Sequence, residues 1–194
     1  MNYLFLSPHP DDVELTCGAS IARLISEGHE IAIAVFSNCD IDMDETRQSH
    51  KILGAKTIEY NFPRREFESS RQAILDELIV LRNMIRPDVV FLPDRSDIHQ
   101  DHQVIGREGI RAFKMDADII SYAHAHNQLE CVSNYFIMIN TDHVLTKLRS
   151  LEAYKSQHSR FYFKQESVIA VMRYHGTQCG AELAEAFRII KQLK

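Results

Sequence analysis

What the chain has little of narrows the field first. Its 22 lysines and arginines are outnumbered by 27 aspartates and glutamates, for a formal net charge of -5. No basic excess is available for a phosphate backbone, which disfavours general nucleic-acid binding and leaves open only a local basic patch. Long apolar runs are also missing. The longest, residues 31–36 and 88–92, are strand-length and fall well short of the roughly 18–20 residues of a membrane span, so no segment is expected to cross a bilayer. The first residues, Met1-Asn2-Tyr3-Leu4-Phe5, carry no basic segment and soon run into polar positions. They do not read as a signal peptide, and a cytoplasmic location is the default expectation. The four cysteines, Cys17, Cys39, Cys131 and Cys179, form no Cys-x-x-Cys pair, which excludes a zinc knuckle or a thioredoxin-like motif and leaves them as free thiols. Linkers, internal repeats and low-complexity segments are absent as well.

What is present is the balance of one ordinary globular domain: 194 residues, 45% hydrophobic and 25% charged, enough for a sizeable core and too few for a second full domain. Residues 1–194 are therefore read as a single domain. A short apolar run at 3–7 ends in Pro8-His9-Pro10, and residues 13–27 have helical spacing stopped by Gly28. Residues 30–36 read as a strand and 45–53 as a helix stopped by Gly54. Residues 57–60 form a short strand, 67–85 a long helical pattern blocked by Pro87, and 88–92 a buried strand. A helix over about 103–113, strands over 118–122 and 135–139, and a helix over 142–154 follow. Residues 166–174 fit a helix. Residues 181–193 fit a helix too, although 186–190 read equally well as a strand. Alternation of this kind predicts a doubly wound, mostly parallel α/β sheet with helices on both faces, Rossmann-like in layout.

In such a sheet ligands bind at the carboxyl ends of the strands, and two strand-to-helix loops there are unusual. Ser7-Pro8-His9-Pro10-Asp11-Asp12-Val13-Glu14 places an imidazole and three carboxylates at a helix start, and Asp97-Ile98-His99-Gln100-Asp101-His102 follows the strand ending at Leu92. Taken singly, each has a plain explanation. Asp11 or Asp12 suits an N-cap, Glu14 suits the positive end of a helix dipole, and His99 and His102 suit a solvated helix start. Together, on one edge of the sheet, they supply two imidazoles and a carboxylate, the ligand set of a catalytic zinc site with an open position.

The segment from Pro8 to Leu15 with Cys17-Gly18-Ala19, and His99-Gln100-Asp101-His102, resemble the two signature motifs of the PIG-L/LmbE-like zinc-dependent N-deacetylase family. Ala153-Tyr154-Lys155-Ser156-Gln157 and Ala184-Glu185-Ala186-Phe187 extend the likeness over nearly the whole chain. Val13-Glu14 after the paired aspartates is similar to the deacetylases that process N-acetylglucosaminyl-malate in bacillithiol synthesis. The resemblance implies an LmbE-like fold and removal of an acetyl group from the nitrogen of an amino sugar or its conjugate. It implies that His9, Asp12 and His102 bind the metal, Zn²⁺ or in its place Fe²⁺ or another divalent ion. It also implies that Asp11 is the general base, that His99 stands beside the developing oxyanion, and that Asp101 orients a ligand imidazole. Related folds often assemble, so a homo-oligomer is in keeping with it.

One departure concerns the sugar. An arginine three residues before a glutamate on the helix after strand two commonly contacts it in this family. With that glutamate at Glu45, the arginine position is Asp42. Arg47, one turn on, is the candidate replacement, against a reading as a solvated helix residue. Arg64, with Arg65, is a second substrate candidate, since guanidinium groups suit a phosphate or carboxylate; the alternative is a charged loop balanced by Glu66 and Glu68. His124 and His126, alternating in an extended stretch, read as pocket wall or surface rather than a second metal site. Tyr154 and Gln157 read as structural, and Cys17 has no local base to make it a nucleophile. Two rival functions remain: a Mg²⁺-dependent phosphoryl-transfer or receiver-like module built on the paired aspartates, and a non-catalytic family member that keeps the fold. The first leaves His9 and His102 without a role, and the second sits poorly with a complete set of metal and base residues.

Overall fold

The computed structural model describes residues 1–37, 41–128, 130 and 132–193. Strand β1 (Asn2–Ser7) leads into helix α1 (Asp12–Ser26), β2 (Glu30–Val35) into α2 (Met43–Leu53), and β3 (Lys56–Glu59) into α3 (Arg71–Ile85). β4 (Val89–Pro93) leads into α4 (Gln100–Phe113), which is followed by β5 (Asp118–Tyr122), β6 (Tyr135–Met138), α5 (Thr141–Glu152), α6 (Gln165–Cys179) and β7 (Ala184–Lys191). Two short 3-10 turns, Lys155–Gln157 and Phe161–Phe163, join α5 to α6. Among the described residues no helix is long and apolar enough to cross a membrane.

The strands form one seven-stranded sheet in the order β3-β2-β1-β4-β5-β7-β6. From β3 to β5 every pairing is parallel, while β7 runs antiparallel to both β5 and β6. The expected doubly wound sheet is thus present. Two details refine the sequence reading: among the described residues no helix lies between β5 and β6, and residues 184–191 are a strand rather than a helix. Gly180, at φ +74°, ends α6 in the left-handed conformation that glycine adopts without strain. The segment after it then fills the slot between β5 and β6, where ladder hydrogen bonds are available on both sides.

Side-chain alternation along the central strands feeds two cores. Phe5, Ile33, Val35, Val89 and Phe91 pack under α1, α5 and α6 together with Val13, Leu148 and Met172. Leu4, Leu6, Ala34, Val90 and Leu92 face the other way, against Leu78 and Leu81 of α3 and Val104 and Phe113 of α4. Each fully buried Leu, Ile, Val or Phe contributes about 1.5–3 kcal/mol, so the near-continuous apolar reading of β1, β2 and β4 follows from burial on both faces. Cys17 lies in the first core as a free thiol, and Cys179 is free and half-buried; Cys39 and Cys131 lie outside the described residues.

α4 approaches the sheet closely because residue 106 has no side chain: a Cβ there would stand 2.6 Å from the Pro93 carbonyl oxygen. The same helix buries Glu108 completely. Its carboxylate is held by Arg111 at 2.6 Å, Arg107 at 3.0 Å and Arg71 of α3 at 3.3 Å. Burial pushes the Glu108 pKa up, but these guanidinium groups outweigh it and hold the group below its ordinary 4.5. A depressed folded-state pKa gives stability that is present above the unfolded value and lost as pH falls through the folded one. Glu108→Gln is therefore expected to lower the unfolding free energy at pH 7 by about 2 kcal/mol. In urea titrations the gap to wild type should narrow below about pH 4; a gap independent of pH would remove the carboxylate charge from the account.

Candidate metal centre

After β1 the sheet winds outward through β2 and β3, and the chain then returns to β4 on the other side of β1. The carboxyl ends of β1 and β4 therefore flank the switch point where doubly wound sheets leave a crevice. Both histidine–aspartate loops open there.

The first loop is tied back on itself and to its neighbour. Ser7 Oγ donates to the His9 carbonyl at 2.7 Å, and the His9 N–H donates to Asp12 Oδ2 at 2.8 Å. The Phe36 and Ser37 N–H groups donate to the carbonyls of Ser7 and Pro8. Asp11, at the N-cap position of α1, has φ +81° and makes no side-chain cap bond, contrary to the expectation that one of the paired aspartates caps the helix. A non-glycine residue in the left-handed region is strained and persists where its surroundings fix it. The second loop is organised by Asp97, whose Oδ1 accepts the His99 N–H at 2.8 Å and whose Oδ2 stands 2.8 Å from His102 Nδ1. His99 caps α4, its Nδ1 accepting the Asp101 N–H at 3.2 Å.

These ties converge three ligand-type atoms from the two loops. Asp12 Oδ2 is 3.2 Å from His9 Nδ1 and 3.2 Å from His102 Nε2, and the two nitrogens are 3.3 Å apart. A tetrahedral zinc ion with bonds of about 2.0–2.1 Å separates its ligand atoms by about 3.3 Å, so the donor set fits the ion. The outer nitrogen of each ring faces a carboxylate: His9 Nε2 is 2.9 Å from Asp101 Oδ2, and His102 Nδ1 faces Asp97. Asp101 is held in place by the N–H groups of Arg65 at 2.7 Å and Phe67 at 3.4 Å. Such pairs fix ring orientation and raise ligand basicity.

Two further imidazoles adjoin the set. The atoms of His9, His99 and His102 also come within metal-binding reach of one another, as do those of Asp12, His102 and His124. His124, at the end of β5, is buried with Nε2 3.2 Å from Asp12 Oδ1. Sequence reasoning gave it no place at the metal site; the signal it offered was its position just after a strand on the same sheet edge. His126 stacks on Tyr162 at a centroid distance of 4.2 Å.

The charges sort accordingly. Burial raises the Asp12 carboxyl, but His102 and His124 outweigh it and hold it well below the usual carboxylate range. Asp11, next to it, is pushed well above that range by burial and by the charges of Asp12 and Glu14. Burial opposes protonation of His102, yet Asp12 and Asp97 carry it up to about 10, whereas burial with His102 and His9 takes His99 down to about 4. The crevice stabilises positive charge at the place where the three ligand atoms meet.

A cavity of about 250 Å³ adjoins them, and Asp11, His99, Asn127, Arg64 and Arg160 are among its lining residues. Arg64 is thus brought to the site. Arg47 is not: it lies on the exposed side of α2, with Nε and Nη2 donating to Glu59 at 2.8 and 2.7 Å and Nη1 to Asp44 at 3.0 Å. Asp42 caps that helix, accepting the Asp44 N–H at 3.0 Å.

Comparison with known proteins gives the family and the fold likeness. The family model described as "PIG-L: GlcNAc-PI de-N-acetylase" matches residues 4–113. The uncharacterized deacetylase YaiS of Escherichia coli is 30% identical over 170 residues, which is 79% of this chain and 90% of that protein. Diacetylchitobiose deacetylase of Thermococcus kodakarensis is 24% identical, over 96% of this chain and 82% of its own. Among solved structures, N,N'-diacetylchitobiose deacetylase from Pyrococcus horikoshii superposes with a TM-score of 0.79 at 23% identity, covering 97% of this chain and 83% of the other.

Asp97 offers a direct test of the centre. Asp97→Asn keeps the side-chain shape and removes the charge behind His102, and zinc affinity, read by competition with a chromophoric chelator, is expected to fall about 10- to 100-fold. Unchanged affinity would detach Asp97 from the metal site.

Proposed function

The chain belongs to the PIG-L deacetylase family, and on that premise we propose that it is a zinc-dependent N-deacetylase that removes an acetyl group from an amino sugar or an N-acetylglucosaminyl conjugate. Residues 1–194 act as one PIG-L/LmbE-like domain in this reading. The observation that carries it is the triangle of His9 Nδ1, Asp12 Oδ2 and His102 Nε2, with sides of 3.2, 3.2 and 3.3 Å, beside a carboxyl group, Asp11, that lines the same cavity without capping its helix.

His9, Asp12 and His102 would hold Zn²⁺, or Fe²⁺ or another divalent transition ion in its place, since ligand type selects only weakly among first-row metals. When bound, the ion supplies Lewis acidity to a water molecule and to the amide carbonyl oxygen. Asp11 takes the proton from the attacking water; a buried carboxyl whose pKa is raised by burial and by the charges of Asp12 and Glu14 is suited to holding that proton and passing it on. His99, T-shaped against His9 at 4.8 Å between ring centroids, stands beside the oxyanion that develops on the carbonyl. Asp101 and Asp97 hold the two ligand rings. Arg64 contacts the sugar or an anionic group on it. The two nitrogen donors also speak against the magnesium reading, because Mg²⁺ is bound through oxygen.

Elemental analysis after removal of loosely bound ions is expected to find about one zinc or iron per wild-type chain and little in His9→Ala. Asp11→Asn should keep its metal and lose about 10²- to 10⁴-fold in kcat for release of amine from N-acetylglucosamine conjugates. Magnesium alone in the wild type, with no effect of His9→Ala, would overturn the assignment.

A further inference from the structure

A second cavity, of about 350 Å³, lies next to the first, and Leu15, His124, His126 and Tyr162 line both. The two differ in character. The first presents Asp11, Arg64, Arg160 and Asn127, groups suited to a hydroxyl-rich or charged ligand. The second is walled mainly by apolar side chains, with Phe161 from a 3-10 turn, Val168, Val171 and Met172 from α6, and Ala186 from β7. Four of the polar groups in that wall, Lys147, Glu185, Thr16 and Ser167, are already engaged. Lys147 Nζ donates to Glu185 Oε1 at 2.6 Å and to the Leu15 carbonyl at 2.7 Å, while Glu185 also accepts the N–H groups of Ala19 and Ser20. The hydroxyls of Thr16 and Ser167 donate to the carbonyls of Asp12 and Phe161.

Such a wall selects for apolar surface. The volume falls within the roughly 300–1,000 Å³ of small-molecule sites, whereas a single methyl group, similar in size to a water molecule at about 30 Å³, would leave nearly all of it vacant. We propose that the second cavity receives the chain of the scissile amide, so that the protein takes N-acyl amino sugars with linear chains longer than acetyl. The inference rests on the deacetylase reading above and extends it. The sugar occupies the polar cavity, the carbonyl carbon lies at the metal centre, and the chain passes Leu15 and the stacked His126–Tyr162 pair into the apolar space. The reaction remains amide hydrolysis: the C–N bond breaks, the water oxygen ends in the carboxylate, and the amine takes up a proton.

N-acetyl-, N-butyryl- and N-hexanoylglucosamine test this in two ways. The first is their affinity for zinc-loaded Asp11→Asn, measured by calorimetry. Each fully buried methylene is worth roughly three- to fourfold in affinity, so the hexanoyl compound is expected to bind at least tenfold more tightly than the acetyl one. The second is the hexanoyl-to-acetyl ratio of kcat/KM in the wild type and in Val171→Trp. Val171 is 37% exposed on α6, so the larger ring fills the cavity without disturbing the core, and the ratio should fall at least fivefold. Ser167→Leu gives an independent filling of the same wall. Affinity independent of chain length, or a ratio that neither filling variant moves, would overturn the inference. If the wild type hydrolyses none of the three amides, the deacetylase reading fails by itself, and the chain-length dependence of binding still decides the cavity's role.

Discussion

The carboxylate of Asp12 is the point on which the rest of the crevice depends. Its Oδ2 accepts the His9 N–H and lies 3.2 Å from His9 Nδ1 and from His102 Nε2, and its Oδ1 lies 3.2 Å from His124 Nε2. Those partners come from the segments that follow β1, β4 and β5, three neighbouring strands of the sheet, with His102 in the first turn of α4. A buried carboxylate is costly unless it is paired. The loops are therefore bound to one another through a charge that none of them could bury alone, and a cation at the same spot would relieve the crowding of nitrogens around it.

Why this can happen at all is a matter of topology. The reversal of winding beside β1 keeps the carboxyl ends of β1 and β4 free of a crossing helix, and the missing side chain at Gly106 lets α4 press against the end of β4. α4 carries Asp101 and His102 in its first turn, so its placement sets the distance between the two loops. Two fully packed cores, one on each face, resist displacement of either element. The precision of the triangle of donor atoms is inherited from the packing of the strands and α4 rather than from the loops themselves.

Much of this was legible in the sequence. Strands β1, β2 and β4 announce themselves because residues buried on both faces leave continuous apolar runs, and α1, α2 and α4 because their polar faces break such runs periodically. The C-terminal strand was ambiguous for a physical reason: Ala184, Ala186 and Phe187 with intervening charged residues satisfy both periods, and only the vacant slot between β5 and β6 decides. At the site, the two loops carried His9, Asp12, His102 and Asp101 in plain view. His124 was harder, since its partner Asp12 is 112 positions away and pairing across β5 has no local signature. Helix phase alone does not show that Glu59 on β3 and Asp44 already hold Arg47 on the exposed side of α2.

The two adjacent aspartates show how environment divides a motif into roles. Both are buried, and burial raises both; only Asp12 is ringed by imidazoles, so it is driven down while Asp11 is driven up by the charge on Asp12 itself. Glu14, one turn further along, adds to that effect. It is fully buried, with its charge kept in place by His50 Nε2 at 3.0 Å and by the hydroxyl of Tyr154. Burial would neutralise Glu14, but His50 and Tyr154 hold it below its ordinary value. Its negative charge then acts on Asp11 across the first turn of α1. In the proposed mechanism, proton affinities pushed in opposite directions separate the metal ligand Asp12 from the proton acceptor Asp11. Glu14, held by the Tyr154 hydroxyl just beyond α5, thus reaches the proposed base through charge alone.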